Sequence, residues 1–237
     1  MIHAVPPSLS VVLPAWNEAG RLDAALRGVA ELRALVPDVE GLLVDDGSVD
    51  GTAELARAGG LRTVVHPENR GKGAAVRTGM LAATGLRRLF CDVDPSTPLV
   101  DVLPMLAALD AGADVAVGRR DPSGRRSPPV APRRAALSHT FRGLTRLIGV
   151  GVHDSQCGFK LFTGAAAEAI FSRTRVDRYA FDVEVLLVAR ELGLRVVEVP
   201  VRWGDAAGSR LVIGKDGPRM LVDSARVLMH RAAGHYR

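Results

Sequence analysis

Three observations predict an α/β fold for this chain, with a mainly parallel central sheet and helices on both faces. First, short apolar runs alternate with stretches of helical periodicity through the first half of the 237 residues. Second, the composition is that of a globular chain, 47% hydrophobic and 24% charged, and it is long enough to bury a core without staples. Third, no internal repeat and no long linker divides the sequence, so a single domain over 1–237 is expected.

The elements follow in order. Leu9–Leu13 is an apolar run ending at Pro14, and residues 21–35 carry Leu22, Ala25, Leu26, Val29, Leu32 and Leu35 near helical spacing. Gly41–Val44 is a second strand, ending at Asp45-Asp46-Gly47, and Ser48 or Asp50 can cap a helix over about 51–58. Arg62–His66 reads as a third strand, and residues 72–84 as a helix opened by a Gly-rich turn. Arg88–Cys91 is a fourth strand, 99–110 a helix and Asp114–Val117 a fifth strand. Residues 119–133, rich in Arg, Pro, Ser and Gly, read as a loop. Residues 134–148 then place Leu137, Phe141, Leu144, Leu147 and Ile148 on one face of a basic amphipathic helix. Further helices are expected over 164–172, 180–192 and 217–231, with a late strand at Val196–Val201.

Charge is unevenly spread. Residues 119–146 hold eight arginines and one acid, a local +7 in a chain of net charge +5, so the remainder sums to −2. Such a patch calls for an anionic partner: phosphate, nucleic acid or lipid headgroup. Nucleic acid is disfavoured, because aromatic residues are only 4% and bases need stacking platforms. No run of 18 apolar residues and no leader pattern is visible, and the two cysteines, Cys91 and Cys157, make no disulfide framework. A cytoplasmic chain is therefore expected, peripheral to the cytoplasmic membrane.

Carboxylates gather where the strands end. Glu18 follows the first, Asp45 and Asp46 the second, and Asp92 and Asp94 the fourth. Open parallel sheets bind ligands at that edge. Asp92-Val93-Asp94 offers two hard oxygen ligands suited to Mg²⁺ or Mn²⁺ held together with substrate phosphates. Asn69-Arg70-Gly71-Lys72-Gly73 opens a helix, where glycines admit a ligand and the helix N-terminus favours an anion. It is neither a Walker A loop nor a dinucleotide fingerprint. His153-Asp154-Ser155 are sequence neighbours and cannot form a relay, no G-x-S-x-G occurs, and Cys157 reads as a packed apolar residue.

Together these residues resemble the family 2 glycosyltransferases of the GT-A fold, and among them the polyprenyl-phosphate sugar synthases, nearest the dolichyl-phosphate glucosyltransferase branch. Six ordered segments carry the resemblance: Val11–Glu18, Val44–Thr52, Asn69–Ala75 with Asp92-Val93-Asp94, Asp154–Lys160, Tyr179–Leu186, and Glu198–Trp203 with Gly208-Ser209-Arg210. Arg210 stands where the family has Lys, Tyr179 where the nearest branch has Trp, and Val93 where a smaller residue is usual.

The resemblance implies an inverting transfer of a sugar from a nucleotide-diphosphate sugar to a polyprenyl monophosphate. UDP-glucose is the donor it implies first, with an N-acetylhexosamine or GDP-mannose donor as alternatives. It places the nucleotide on Pro14, Ala15, Asn17, Glu18, Asp45, Asp46, Lys72 and Gly73, in a donor half spanning about 8–118. It places Mg²⁺ or Mn²⁺ on Asp92 and Asp94, with Asp94 counted in the chemistry. It puts the acceptor phosphate near Arg119, Arg134 and Ser138, with Arg210 in the late motif, in an acceptor half spanning about 119–237. Asp154 and Asp182 are implied near the sugar. A phosphate acceptor is already ionised near neutral pH and needs no strong base; a soluble hydroxyl acceptor would need one, Asp182 or Glu184. The partners implied are the donor, the lipid and the membrane surface, or else a membrane-embedded partner protein that brings the lipid. The reading from another class is a non-catalytic module for anionic membrane, which would have no use for carboxylates at the strand ends.

Overall fold

The computed structural model describes residues 6–94, 96–120, 151–178, 180–204 and 213–237. Seven strands form one sheet: β1 (Leu9–Ala15), β2 (Val39–Asp45), β3 (Arg62–Val65), β4 (Arg87–Cys91), β5 (Val115–Arg120), β6 (Phe159–Thr163) and β7 (Val196–Val201). Their spatial order is β3-β2-β1-β4-β6-β5-β7, and every pairing is parallel except those of β6, which runs antiparallel to both β4 and β5. The helices are α1 (Leu22–Leu35), α2 (Thr52–Ala58), α3 (Lys72–Ala82), α4 (Val102–Asp110), α5 (Gly164–Phe171), α6 (Phe181–Glu191) and α7 (Ile213–Ala232).

Helices cover both faces, so the central strands are apolar on both sides and alternate residues feed two separate cores. Val12, Phe90, Val117 and Phe162 pack with residues of α3, α5 and α6, while Val11, Leu13, Leu89, Cys91 and Leu161 pack with residues of α1 and α4. Helix α1 buries Leu22, Ala25, Val29 and Leu32, the i, i+3, i+7, i+10 stripe that its periodicity predicts. Leu35 closes the sequence pattern but is exposed.

Two departures from the sequence expectation matter for the site. Strand β6 was expected nowhere: Phe159-Lys160-Leu161-Phe162 is short, and a lysine sits at an inward position. Its antiparallel direction sets Phe159 opposite Cys91, so the turn before β6 meets the C-terminal end of β4. Strand β5 continues past Val117 to Arg120, because β7 pairs with it residue for residue up to Arg120 opposite Val201. Residues 119 and 120 of the expected loop therefore belong to the strand. The remainder of that loop, the basic helix 134–148, Tyr179 and the segment of Gly208-Ser209-Arg210 lie outside the described residues.

Candidate active site

The turns after β1 and β2 are laced into one corner. Asn17 N donates to Ser48 Oγ (2.7 Å), Glu18 N to Thr52 Oγ1 (2.9 Å), and Val49 N to Asn17 Oδ1 (2.9 Å). Asn17 adopts a left-handed conformation with φ of 52°, which asparagine tolerates better than most residues. Asp45 is buried and accepts from Ser48 N (3.1 Å), folding the β2 turn back under the first. Glu18 lies 3.4 Å from Arg21. Pro14 and Ala15 end β1 beside Val44 and Asp45 of β2.

Asp46 connects this corner to α3. Its carboxylate is almost fully buried and faces three donors from within the chain: His66 Nδ1 (2.7 Å), Arg70 N (3.0 Å) and Gly71 N (2.7 Å). The other nitrogen of His66 lies 3.0 Å from Thr78 Oγ1. Asp46 thus fixes the Gly-rich turn. The glycines of that turn have a use the sequence did not reveal. A Cβ on Gly71 would lie 2.4 Å from Asp177 O, and one on Gly73 would lie 2.4 Å from Val176 O. Ala74 N donates to that same Asp177 carbonyl (3.1 Å), and Arg77 pairs with the Asp177 carboxylate (2.5 Å). The protein's own 174–178 strap therefore lies against the start of α3. Glu184 holds that strap from behind. It is fully buried and accepts from Arg175 N (2.9 Å), Val176 N (2.8 Å) and the Tyr236 hydroxyl (2.7 Å).

At the end of β4, opposite charges alternate. Lys72 Nζ lies 2.5 Å from Asp92 Oδ1. The second Asp92 oxygen sits against Gly158, where any Cβ would come within 2.5 Å of it. Asp94 accepts from Ser96 N (3.1 Å), and Val93 between the two aspartates is buried. Asp182, at the start of α6, is ion-paired with Lys160, which has no exposed surface. Lys160 also donates to Cys157 O (2.7 Å) and lies 5.2 Å from the Phe90 ring centroid. Burial works against the charge of Lys72, yet Asp92 and then Asp182 hold its ammonium well above the ordinary lysine value. Burial raises the Asp182 carboxyl above the ordinary aspartate value, against the pull of Lys160 and Lys72. The Cys157 thiol is pushed up to about 11 by burial, which suits a packed residue rather than a nucleophile.

A third group stands at the ends of β5 and β7. Arg120 grips both oxygens of Asp154, Nε to Oδ2 at 2.7 Å and Nη2 to Oδ1 at 2.6 Å, and adds its backbone N at 3.1 Å. Burial would raise the Asp154 carboxyl, but the bidentate guanidinium outweighs it and holds it below the ordinary range. Glu198 on β7 accepts from His153 N (2.9 Å) and Asp154 N (3.0 Å), and the Arg120 guanidinium lies 5.5 Å from the Trp203 ring centroid. Arg119, the residue singled out from the sequence, is exposed beside it on β5.

The structure therefore brings Lys72, Asp92 and Asp182 into one charged cluster, with Asp94 two residues along. Asn17, Glu18 and Asp45 form the adjoining corner, joined to the cluster through Asp46. Asp154 engages Arg120. Arg134, Ser138 and Arg210 lie outside the described residues. Sequence reasoning passed over Arg120, Lys160, Glu198 and His66 as individuals. Lys160 had a signal: a single lysine flanked by apolar residues in Phe159-Lys160-Leu161-Phe162.

Among the described residues no helix is long and apolar enough to cross a membrane. Residues 10–171 match the family described as Glycosyl transferase family 2. A dolichyl-phosphate beta-glucosyltransferase of Drosophila melanogaster is 39% identical over 226 residues, covering 86% of this chain and 69% of the relative. The enzyme of that name from Homo sapiens is 35% identical over 227 residues with the same coverage, 86% and 69%. That of Saccharomyces cerevisiae is 30% identical over 258 residues, 97% of this chain and 76% of the relative. Among solved structures, glucosyl-3-phosphoglycerate synthase from Mycobacterium tuberculosis in complex with phosphoglyceric acid superimposes with a TM-score of 0.72 at 23% identity, covering 93% of this chain and 80% of that one. The same synthase in complex with Mn²⁺, uridine-diphosphate and glucosyl-3-phosphoglycerate gives a TM-score of 0.70 at 21% identity, over 92% and 78% of the two chains. At these identities the structures establish the GT-A-like fold alone. The match over 10–171 and the relatives at 30–39% identity go further: this chain belongs to glycosyl transferase family 2 and is a glycosyltransferase.

Proposed function

We propose that this enzyme transfers glucose, with inversion, from UDP-glucose to a polyprenyl monophosphate of the dolichyl type, with a divalent cation on Asp92 and Asp94. The observation that carries the reading is the cluster of Lys72, Asp92 and Asp182 at the strand ends. It stands in a chain whose relatives, matched over 86% or more of its length, are named for glucosyl transfer to dolichyl phosphate.

The donor set fits the cation. Asp92 and Asp94 are hard oxygen ligands, the lack of a side chain at Gly158 lets the Asp92 carboxylate pack where it does, and Asp92 is part-exposed. Among the described residues no cluster of three or more His, Cys, Asp or Glu is suited to a metal, so the donor's diphosphate would have to complete the shell. Mg²⁺ and Mn²⁺ suit these ligands equally. A metal ion held there supplies charge to the leaving diphosphate.

The chain's own residues do the rest. The base and ribose lie along Pro14–Glu18 and Asp45, in the corner laced by Asn17 and Ser48. Asp46 acts through the turn it holds and sets the direction of Lys72, whose ammonium meets the diphosphate; Gly73 lets the strap close over that turn. The acceptor phosphate is anionic at neutral pH, so it needs cations rather than a base. Arg119 and Arg120 at the end of β5 supply them, together with Arg134 and Arg210, and Ser138 adds a hydrogen-bond donor. Asp154 orients Arg120 for that task. Asp182 faces the sugar side of Lys72. Glu184, whose oxygens are engaged by the strap and Tyr236, holds structure and is not a base. Residues of about 8–118 thus serve the donor and 119–237 the acceptor. The basic segment 119–146 brings the enzyme to the membrane surface as a peripheral protein, where it meets the lipid.

The test is product identification. The protein is incubated with UDP- and GDP-sugars, Mg²⁺ or Mn²⁺, and polyprenyl phosphate, and the lipid extract is analysed by mass. A polyprenyl-phosphate hexose formed from UDP-glucose is expected. Formation only from another donor would replace the sugar, and transfer only to a soluble acceptor would replace the lipid.

A further inference from the structure

The inference rests on the reading of Asp92 and Asp94 as the metal pair and concerns what occupies that pair before the donor arrives. Lys72 Nζ is 2.5 Å from Asp92 Oδ1, on the carboxylate a divalent cation would claim. Lys72 opens α3, and its backbone is pinned by the Asp46 and Asp177 contacts on either side. Its side chain is 27% exposed, so the ammonium reaches the pocket on a flexible four-carbon stem. Asp182 gives that ammonium a second anionic neighbour, and Lys160 fixes Asp182 in place.

We propose that Lys72 is the resident counter-ion of the D-x-D pair: it sits on Asp92 until a nucleoside diphosphate draws its ammonium away, so that cation and diphosphate bind together and poorly apart. Two features support this beyond the contact itself. Among the described residues no group of three or more His, Cys, Asp or Glu is placed to hold a metal ion, and Asp182 is taken by Lys160, so a cation arriving alone would have to displace an ammonium for only two carboxylates. The anionic diphosphate both attracts Lys72 and offers oxygens to the cation. Coupling of this kind is reciprocal: whatever the diphosphate does for cation affinity, the cation does for diphosphate affinity.

Binding of Mn²⁺ to the full chain, read from the electron paramagnetic resonance of the free ion, tests the exchange without and with UDP. Wild type is expected to bind Mn²⁺ weakly alone and at least tenfold more tightly with saturating UDP. Lys72→Met is expected to bind Mn²⁺ alone about tenfold more tightly than wild type, with a smaller gain from UDP. Lys72→Arg keeps a cation on Asp92 and is expected to resemble wild type. If Lys72→Met binds Mn²⁺ alone no better than wild type, while wild type with UDP binds it, the exchange is wrong and the metal reading stands. If Lys72→Arg gains affinity as Lys72→Met does, the charge of Lys72 is not what holds the cation off. If wild type binds no Mn²⁺ even with UDP, the metal reading fails and the exchange with it.

Discussion

Replacing Lys160 by methionine removes one member of a buried ion pair while keeping most of the side-chain volume. In the native chain the Lys160 ammonium has no exposed surface and is satisfied by Asp182, by Cys157 O and by the face of Phe90. Its loss leaves the buried Asp182 without its ion-pair partner, with Lys72 shared with Asp92, and breaking a buried pair in this way costs about 3–5 kcal/mol. For a chain of this size each kcal/mol shifts the melting temperature by about 2–4 °C, so a fall on the order of 10 °C is expected at pH 8. The pH dependence identifies the cause. The Asp182 carboxyl is already raised in the folded chain, and removing Lys160, which opposes that rise, moves it further up. A raised group contributes stability that is complete below its unfolded value, near 4, and is lost as pH rises through the folded value. The Lys160→Met penalty should therefore shrink on going from pH 8 to pH 5, as Asp182 takes up a proton. Adding Asp182→Asn should recover much of the loss at pH 8 and remove the pH dependence. Thermal unfolding of the three proteins at both pH values reads this directly. A penalty equal at pH 5 and pH 8, or a double variant no more stable than Lys160→Met, would refute the pairing as the source.

Two further outcomes follow from the geometry. Gly73→Ala forces a methyl to within 2.4 Å of Val176 O and 2.7 Å of Phe181 Cβ, so urea unfolding should show a loss of about 1–3 kcal/mol and UDP affinity should fall with it; unchanged stability would mean the strap does not rest on α3. Sedimentation with anionic liposomes should show binding at low salt that fades above ~0.1 M, because surface charge is screened within about 10 Å there; no binding even at low salt would point to a membrane-embedded partner as the route to the lipid.

The first five strands and the helices between them were legible because both faces of the sheet are covered, and burial on two sides writes continuous apolar runs. Strand β6 was hidden by Lys160: its inward position reads as polar in sequence, and its partner Asp182 lies 22 residues away. The strand ends were likewise legible as the candidate site, since carboxylates cluster there, but the contacts of each were not. Asp46 reads as a ligand carboxylate; that it also holds the 66–71 turn was not legible, because two of its three donors are backbone amides that no side-chain pattern encodes. Gly71 and Gly73 suggest room for a phosphate; that carbonyls of residues 176 and 177 also lie against them was not legible. Arg119 and Arg120 are indistinguishable in sequence. Only the alternation of β5 turns one outward and sets the other on Asp154.

The most direct measurement of lipid-linked glucosyl transfer is the anomeric configuration of the product. UDP-glucose carries its sugar in the α configuration, and a single displacement by the acceptor phosphate inverts it. Proton NMR of the purified lipid product should show a β-linked glucosyl phosphate, and Asp94→Ala should abolish its formation while the protein remains folded. An α-linked product, or a β-linked one formed at the wild-type rate by Asp94→Ala, would contradict the mechanism assigned to this site.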